Sequence, residues 1–421
     1  MDNSEQRTTK KSYTKDNISV LDEQTLMRKH PYLYLSSNKV LKYEFLVEEI
    51  INNSLDEVLI GECNEIVVVL LMNNGVLVSD NGRGLLVDFD RKINTNVTHT
   101  LLTNLYSGCK FNNNSYYFKS GFQGMSLKTV NYFSEYFSIR IYRDGKEYFQ
   151  EYSKGKALSP LRHEGVTTKQ GTTIIFRLDK ELFYDYKEFS YDLLKKKLIY
   201  STFLNENLKV TIKDERDANN VREETFQYSD GVFGLVKYLN IDKETIYTPI
   251  IYIENNQKEQ IEEGDFEIKI KLAFQYIENY EEDRVLVFVN NMLLERENEL
   301  KLALLIGLCR AFNEYMINYR LFSQLNVENV DVEKGLCCVI SSLHTKVKYT
   351  SFLKNNICNE EMSSYIVKVV KEGVYNYLVS NKETASELIN KIVENYKIRT
   401  KVIAAKERII RKIRREKICQ K

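Results

Sequence analysis

Glu49-Ile50-Ile51-Asn52-Asn53-Ser54-Leu55-Asp56-Glu57 is the stretch that decides the fold, and Asp80-Asn81-Gly82-Arg83-Gly84 follows it about one hairpin later. Apolar residues recur at the spacing of one buried helical face, at Leu46, Val47, Ile50, Ile51, Leu55, Val58 and Leu59. Residues three and four apart are neighbours on a helix, so the polar residues share the other side. The spacing therefore predicts a helix with a polar face of Glu49, Asn53, Asp56 and Glu57.

A carboxylate and a carboxamide one helical turn apart can divide two tasks. Glu49 can accept a proton from a water molecule. Asn53 can complete the coordination of a hard cation such as Mg²⁺, which prefers oxygen ligands. This division suits nucleotide hydrolysis. On these two residues alone, a solvated helix face is the alternative interpretation.

Composition indicates a folded chain with more than one core. The chain has 421 residues, of which 43% are hydrophobic, and this is too long for one ordinary domain. Its net charge is only +1, yet residues 397–421 contain eleven Lys or Arg and two Glu. The positive charge is therefore concentrated at one end, and the rest of the chain is acidic.

Cysteine spacing and hydropathy indicate an intracellular protein. The seven cysteines show no CxxC or Cys/His ligand spacing, so we expect reduced thiols. The N-terminus is polar and lacks the apolar segment of a signal peptide. No apolar run approaches the length of a membrane span. We therefore expect a cytoplasmic protein that does not associate with membranes.

Secondary-structure patterns predict two units in sequence. In the first, a strand over 65–72, a turn at Asn73-Asn74-Gly75 and a returning strand place Asp80 at a strand end. The polar stretch from Asn94 to Gly124 is typical of a lid or binding loop. A second unit with strands followed by long helices begins near Tyr228. This order predicts an α+β fold.

Together these segments resemble, over nearly the whole chain, the ATPase region of the DNA gyrase B subunit and its topoisomerase IV relative, in the GHKL ATPase superfamily. The resemblance implies a GHKL-type sandwich, with a mixed sheet covered by helices, and then an α+β transducer domain of the left-handed-crossover type with a long C-terminal helix. It implies a dimer-exchange arm (1–20), an ATP-binding domain (21–227), a transducer domain (228–396) and a basic helix (397–421).

The family's first two motifs match the segments 49–57 and 80–84. They imply Glu49 as the general base and Asn53 as the Mg²⁺ ligand. Asp80 is expected to accept a hydrogen bond from the amine of adenine, because a carboxylate is acceptor-only. Arg83 is expected to pair with Glu57 beneath the adenine. Gly84 would let the backbone approach the base.

The third motif is a lid over the phosphates, whose backbone N–H groups would contact phosphate oxygens. Lys110 and Tyr116 match nucleotide-contacting positions. The phosphate loop itself matches Gly121, Phe122, Gln123, Gly124, Met125, Ser126 and Leu127. The family has glycine at Ser120 and usually at Ser126, and histidine at Gln123. Serine keeps its backbone N–H but has less freedom at positive φ, so we expect ATP binding with altered lid closure.

Three further positions follow from the resemblance. Tyr13 matches the arm residue that touches the nucleotide of a second subunit, and Thr172 matches a residue beside the adenine. Lys354 matches the lysine that the transducer domain sends to the γ-phosphate, so it joins Glu49 and Lys110 as a catalytic candidate. Phe352 and Leu353 stand where the family has Gln and Thr.

Two functions remain open on the sequence alone. The first is the ATP-hydrolysing part of a gyrase-B-like type II topoisomerase subunit, an ATP-gated homodimer clamp that captures double-stranded DNA and works with a gyrase-A-like cleavage subunit. The second is a stand-alone ATP-dependent dimerising switch, with slow or no hydrolysis, that binds DNA or a protein partner. The motifs of a cleavage domain are absent, and the loop from Asn290 to Leu300 departs from the family without an assigned role.

Overall fold

The computed structural model describes residues 21–37, 40–41, 43–92, 94–105, 107–108, 110, 116–121, 124–184, 186, 188–241, 243, 249–259, 266–278, 284–322 and 324–419. Tyr13, Phe122 and Gln123 lie outside the described residues. Helices and strands are organised around two main sheets, so the expected α+β class is confirmed. None of the helices in the described ranges is long and apolar enough to cross a membrane.

The first part of the chain alternates helices with short and long strands. Its helices are α1 (Glu23–Lys29), α2 (Tyr32–Leu35), α3 (Glu44–Leu59), α4 (Val97–Thr103), α5 (Ser126–Tyr132) and α6 (Tyr191–Leu204). Its strands are β1 (Ser36–Ser37), β2 (Val40–Leu41), β3 (Glu65–Leu71), β4 (Gly75–Asp80), β5 (Phe89–Asp90), β6 (Thr95–Asn96), β7 (Ser134–Arg143), β8 (Lys146–Ser153), β9 (Lys156–Ala157), β10 (Arg162–Val166), β11 (Gly171–Leu178), β12 (Lys209–Asp214) and β13 (Arg222–Gln227).

Most of these strands form one mixed sheet in the order β10-β8-β7-β11-β4-β3-β12-β13, with β9 beside β8. Only the β3–β12 pairing is parallel within this described sheet. Apolar residues of α3 and of the sheet pack into one core, which includes Leu46, Val68, Val78, Ile139 and Phe176. Helix α3 is thereby fixed against the strand that carries Asp80.

The β3–β4 hairpin sets the position of Asp80. Asn73 and Asn74 both adopt positive φ, as a tight turn of Asn residues allows. The pairing then places Asp80 opposite Ile66 on β3 and opposite Thr172 on β11. The end of β4 and the start of β11 therefore meet beside α3.

The second part builds a separate sheet with long helices. Its helices are α7 (Gly231–Leu239), α8 (Glu299–Asn318), α9 (Asn329–Glu333), α10 (Glu360–Ser380) and α11 (Lys382–Cys419). Its strands are β14 (Ile251–Glu259), β15 (Phe266–Tyr276), β16 (Arg284–Val289), β17 (Met292–Leu293) and β18 (Leu336–His344), in the order β14-β15-β18-β16-β17. Strands β16 and β18 run parallel.

Both faces of the second sheet are covered. Cys338 and Ile340 of β18 join the core formed with α8 and α10. Their neighbours Cys337 and Val339 point to the opposite face, where they join a core with residues of α6 and α7. Helix α6 of the first part therefore contributes to a core of the second sheet.

Helix α11 begins before the basic segment. Its N-terminal half packs in the second core through residues such as Leu388 and Ile392. Asn395 donates to the carbonyls of Asp331 and Lys334, and Arg399 forms a bidentate pair with the Asp331 carboxylate at 2.8 and 3.0 Å. The basic segment from residue 397 thus continues a helix that starts at Lys382, and residues 401–411 of it are exposed.

Candidate active site

Helix α3 brings four polar residues to one region, but two of them are buried. Glu49 and Asp56 are both 0% exposed, whereas Asn53 and Glu57 are half-buried. A solvated helix face is therefore excluded for Glu49 and Asp56. Buried carboxylates need partners, because an unpaired charge away from water is costly.

Asp80 lies at the end of β4 and accepts three hydrogen bonds. Ser54 Oγ donates to Oδ2 at 2.8 Å, and the backbone N–H groups of Gly82 and Thr172 donate to Oδ1 at 2.9 and 3.3 Å. Burial raises the pKa of Asp80 despite these donors. Gly171 must stay small, since a Cβ there would lie 1.9 Å from the Asp80 carbonyl oxygen. The carboxylate is thus held firmly at the sheet edge.

A cavity of about 250 Å³ opens between α3 and the ends of β4 and β11. Apolar side chains of Ile50, Val78 and Ile174 form part of its wall. Six residues predicted to bind the nucleotide or its metal also line it, namely Asn53, Glu57, Asp80, Arg83, Gly84 and Thr172. Lys110, Tyr116 and Leu127 contribute to the same cavity. Apolar walls with one buried acceptor are typical of small-molecule sites.

Glu57 and Arg83 form the expected pair at the edge of this cavity. Arg83 donates from Nε and Nη2 to the two carboxylate oxygens at 2.9 Å each, and Tyr116 Oη donates to Oε1 at 2.5 Å. Burial acts to raise the pKa of Glu57, but these donors outweigh it, and the pKa is lowered. The Arg83 guanidinium also lies 5.1 Å from the centre of the Tyr116 ring. The three side chains therefore form one charged and aromatic cluster.

A second cavity of about 90 Å³ adjoins the first and is lined by the lid. Gly121, Gly124, Met125, Ser126 and Leu127 contribute to it, together with Lys110 and Asn53. Asn53, Leu85, Lys110, Tyr116 and Leu127 line both cavities, so the two spaces share a boundary.

Lys110 is held by two residues of α3. Its Nζ forms an ion pair with Asp56 Oδ2 and donates to Asn53 Oδ1 at 2.8 Å. Asp56 also accepts a hydrogen bond from the backbone N–H of Ser120 at 2.6 Å. The lid is thereby attached to α3 at Asp56 from two directions.

Lys354 reaches from the second part of the chain into the first. Its Nζ lies 2.6 and 2.9 Å from the two carboxylate oxygens of Glu49, and both side chains are buried. A Cβ on Gly121 would lie 3.5 Å from the same Nζ, so the ammonium also borders the lid. Removal of one partner of such a buried pair costs about 3–5 kcal/mol.

The loop that carries Lys354 is anchored on both sides. Tyr349 and Ile357 form an isolated antiparallel bridge at its base, and Lys354 itself adopts a positive φ of 54°. Phe352 contacts the rings of Tyr34 and Phe45 in edge-to-face geometry. The aromatic residue that replaces the family's glutamine therefore secures the loop to the first part of the chain.

This arrangement fits a nucleotide and a magnesium ion. One cavity ends at an acceptor-only carboxylate, as a base requires. The adjoining one is lined by Lys110 and by Gly121, next to which the Lys354 ammonium lies, as a polyphosphate requires. Asn53 Oδ1 already faces a cationic group, and it is the kind of oxygen that Mg²⁺ prefers. Among the described residues no group of three His, Cys, Asp or Glu could hold a metal. A magnesium ion here would therefore depend on Asn53, phosphate oxygens and water.

The structure adds site residues that the sequence patterns missed. Ser54, which supports Asp80, lies within α3 itself, and its position one residue from Asn53 could have indicated it. Arg143 lines the larger cavity and donates to the Gly84 carbonyl at 2.8 Å. Lys128 is buried beside the lid and donates to the carbonyls of Ser107 and Gly124. Neither basic residue belongs to a local pattern.

Sequence comparisons relate the chain to DNA gyrase B. The family model described as DNA gyrase B matches residues 231–408. The DNA gyrase B protein of Thermotoga maritima is 31% identical over 401 residues, which cover 95% of this chain and 62% of that protein. The DNA gyrase B protein of Staphylococcus aureus is 29% identical over 407 residues, or 96% and 60% of the two chains. The chain thus spans about three fifths of the length of these curated relatives.

Solved structures show the same fold. The 43K ATPase domain of Thermus thermophilus gyrase B, in complex with an aminocoumarin, superimposes with a TM-score of 0.69 at 23% identity and covers 91% of this chain and 97% of its own. The topoisomerase IV ATP-binding domain of Francisella tularensis gives a TM-score of 0.68 at 22% identity, with 89% and 97% covered.

The fold is that of the gyrase B and topoisomerase IV ATP-binding domains, with a mixed sheet covered by helices followed by an α+β unit and a long C-terminal helix, so the expected fold class is confirmed. More particularly, the chain is similar to gyrase B over the ATPase–transducer region, with a divergence to about 30% identity, as the sequence resemblance predicts. The domain limits at residues 20, 227 and 396, and the role of each site residue, remain proposals.

Proposed function

We propose that the chain binds and hydrolyses ATP with Mg²⁺, as the N-terminal part of a gyrase-B-like type II DNA topoisomerase. The observation that supports this most strongly is the buried contact between Glu49 and Lys354. It joins the candidate base on α3 to a loop 305 residues away at the edge of the lid. Burial of an ion pair between two domains carries a large desolvation penalty, and such pairs beside cavities are typical of functional sites.

Recognition of the base falls to the larger cavity. Asp80 accepts the hydrogen bond from the adenine amine, and the donors from Ser54 and Thr172 hold it in place. Arg83, fixed by Glu57, forms a wall beside the base. Tyr116 adds an aromatic face, and Gly84 forms part of the wall. A Cβ on Gly84 would lie 2.8 Å from the Tyr142 carbonyl oxygen, so the missing side chain serves close packing against β7.

Hydrolysis falls to the smaller cavity and its border. Lys110 and the lid backbone at Gly121 and from Gly124 to Leu127 line this cavity, and Lys354 borders it behind Gly121. These groups stabilise negative charge on the transferred phosphoryl group. Bound Mg²⁺ would neutralise phosphate charge, and Asn53 would hold it. Glu49 takes a proton from the attacking water. Both of its oxygens accept from Lys354, so the lysine must turn toward the γ-phosphate before Glu49 can act.

We further propose that ATP drives closure of a homodimer clamp in the cytoplasm. Exchange of the arms would place each Tyr13 near the partner's nucleotide. The exposed basic part of α11 would contact phosphates of captured double-stranded DNA without reading sequence. A gyrase-A-like protein would supply DNA cleavage. The exposed apolar residues Ile398, Val402, Ile409 and Ile413 also suit a dimer stalk on the same helix.

The test is Glu49→Gln, which keeps a hydrogen-bonding group opposite Lys354. We expect binding of a non-hydrolysable ATP analogue to persist while the hydrolysis rate falls about 10²–10⁴-fold, since a general base is lost. Glu48→Gln is the matched control, because Glu48 is adjacent on α3 but pairs with Lys197 on the outer side. Thermal melting verifies folding of both variants.

If the unsubstituted chain hydrolyses ATP measurably, an unchanged rate in Glu49→Gln, with folding intact, would overturn the catalytic assignment. If the unsubstituted chain instead binds and dimerises with the analogue but shows no turnover above that of Glu49→Gln, the stand-alone switch is the better description.

A further inference from the structure

Residues 116–121, here called the strap, belong to the lid segment and contact both parts of the chain. Two of its residues bind carboxylates of α3. Tyr116 Oη donates to Glu57, and the Ser120 N–H donates to Asp56. These carboxylates also hold Arg83 and Lys110, which face the two cavities. The strap is therefore attached to the residues proposed to bind the base and the phosphates.

The residues between these two anchors contact the second sheet instead. Tyr117 Oη donates to Glu267 Oε2 at 3.1 Å, and Lys269 Nζ lies 5.1 Å from the centre of the Phe118 ring. The carbonyl of Lys119 accepts a hydrogen bond from Asn290 Nδ2 at 2.7 Å. Three consecutive strap residues thus meet three residues of the second part.

The receiving residues are built into one end of the second sheet. Glu267, near the start of β15, is 4% exposed, and Asn290, directly after β16, is 1% exposed. Asn290 also exchanges hydrogen bonds with His344 at the end of β18, at 2.8 and 2.9 Å. The buried carboxamide of Asn290 therefore holds together the ends of β16 and β18 and the strap. This gives the Asn290 turn a role that the sequence did not reveal.

The strap is short, partly buried and held at both ends. Phe118, Lys119 and Ser120 are all buried, and the anchors at Tyr116 and Ser120 are only four residues apart. Displacement of either anchor must therefore move the backbone between them, because close-packed interiors transmit strain. Lys354 Nζ borders the strap only at its Gly121 end, and its described hydrogen bonds go to Glu49. The contacts of Tyr117 with Glu267 and of Lys119 with Asn290 are therefore a separate connection.

We propose that the strap is a second link by which nucleotide binding is communicated to the transducer domain, in parallel with Lys354. Tyr117 and Asn290 are its positioning residues. This inference rests on the proposed nucleotide site. A bound nucleotide attracts Lys110 and Arg83, and this weakens their ion pairs with Asp56 and Glu57. The strap passes this change to the start of β15 and the ends of β16 and β18.

The experiment compares hydrogen exchange with and without a non-hydrolysable ATP analogue and Mg²⁺, in the full chain. Tyr117→Phe removes one hydroxyl, and Asn290→Ala removes the carboxamide. Tyr252→Phe is the matched control, because it removes a Tyr–Glu hydrogen bond of 2.8 Å on β14, away from the strap. Peptides of α3 report binding, and peptides of β15 and β18 report the response of the second sheet.

We expect the analogue to protect α3 and the second sheet in the unsubstituted chain and in Tyr252→Phe. In Tyr117→Phe and Asn290→Ala, α3 stays protected with affinity within about threefold, or roughly 0.7 kcal/mol. Protection of β15 and β18 is reduced in both variants. Lys354→Ala keeps part of that protection, and Lys354→Ala with Tyr117→Phe loses it.

If β15 and β18 are protected equally in Tyr117→Phe, Asn290→Ala and the unsubstituted chain, the strap does not communicate nucleotide binding. The proposed nucleotide site would be unaffected by that result. Absence of α3 protection in the unsubstituted chain would overturn the nucleotide site itself, and the strap with it. A merely structural role predicts lower melting temperature with an unchanged second-sheet response, so the two readouts separate it from communication.

Discussion

At the scale of single residues, the site depends on carboxylates that each hold a distinct set of donors. Asp80 accepts from a hydroxyl and two backbone amides, Glu57 from Arg83 and Tyr116, and Glu49 from Lys354. The proposed roles differ accordingly. A carboxylate with fixed donors, such as Asp80 or Glu57, can bind the base or hold a neighbouring side chain in place. A carboxylate whose partner is a movable lysine can be released for proton transfer.

Asp80→Asn tests recognition of the base. The amide keeps the shape, and its oxygen can still accept from Gly82 and Thr172 while the Ser54 hydroxyl rotates to accept from Nδ2. The second acceptor offered to adenine is then a donor, so we expect the affinity for an ATP analogue to fall about 10- to 100-fold. The free energy of unfolding should hold or rise at neutral pH, because a buried charge with a raised pKa is removed.

Asp144→Asn is the control for this change, since Asp144 is an exposed carboxylate at positive φ in the nearby β7–β8 turn. Calorimetric titration and urea unfolding measure the two quantities. Undiminished affinity in Asp80→Asn would remove Asp80 from the binding role.

Local sequence predicted the residues of α3 and the Asp80 turn because residues that are close in a helix or hairpin sequence are also close in the structure. Glu49 and Asn53 are one turn apart, and the pairing of Glu57 with Arg83 followed from the family pattern and is observed. Arg143, Lys128 and the partners of Asn290 could not be predicted in this way. Their contacts join residues distant in sequence, and only the fold brings them together.

At the scale of elements, the strength of the hydrophobic pattern decided what could be foreseen. Helical spacing of apolar residues also predicts helices at 191–204 and 231–239, which coincide with α6 and α7, and the side chain of Ser190 caps the first of these. Strands β10 and β13 have no such pattern and could not be predicted from the sequence, because they lie at the two edges of the large sheet and carry mainly exposed, polar residues. Helix α11 begins earlier than the charge run suggested, since its first half is apolar on one face.

The end of β18 offers a test of pH dependence. Burial lowers the pKa of His344 to about 4, and its ring stacks on Phe266 while Nε2 lies 3.3 Å from the Glu361 carboxylate. The unfolded chain binds a proton near pH 6.5, so acidification favours unfolding between these two values. We expect His344 alone to lower the free energy of unfolding by about 2 kcal/mol between pH 7.5 and pH 5.

Urea unfolding at both pH values measures this, with His344→Gln and the exposed His163→Gln compared. The His344 variant should be less stable at pH 7.5 yet lose less stability on acidification than the unsubstituted chain. An identical loss in both would mean that His344 is not held neutral in the fold.

At the scale of the whole molecule, two sheets share one continuous set of contacts. Helix α6 completes a core of the second sheet, Lys354 enters the first part at Glu49, and the strap meets the end of the second sheet. The order of the two units could be predicted from the run of strands and helices. The joints between them could not, because they are made by single residues in loops. At these contacts, nucleotide binding would change the arrangement of the two parts of the chain.

The most direct test of the central proposal is light scattering with and without a non-hydrolysable ATP analogue and Mg²⁺. If ATP closes a clamp, the molar mass doubles with the analogue, and Asp80→Asn requires a higher analogue concentration for the same change. ADP should not produce the doubling, since it lacks the γ-phosphate that draws Lys354 from Glu49. A monomer that keeps its mass at analogue concentrations shown by calorimetry to saturate the site would contradict the account.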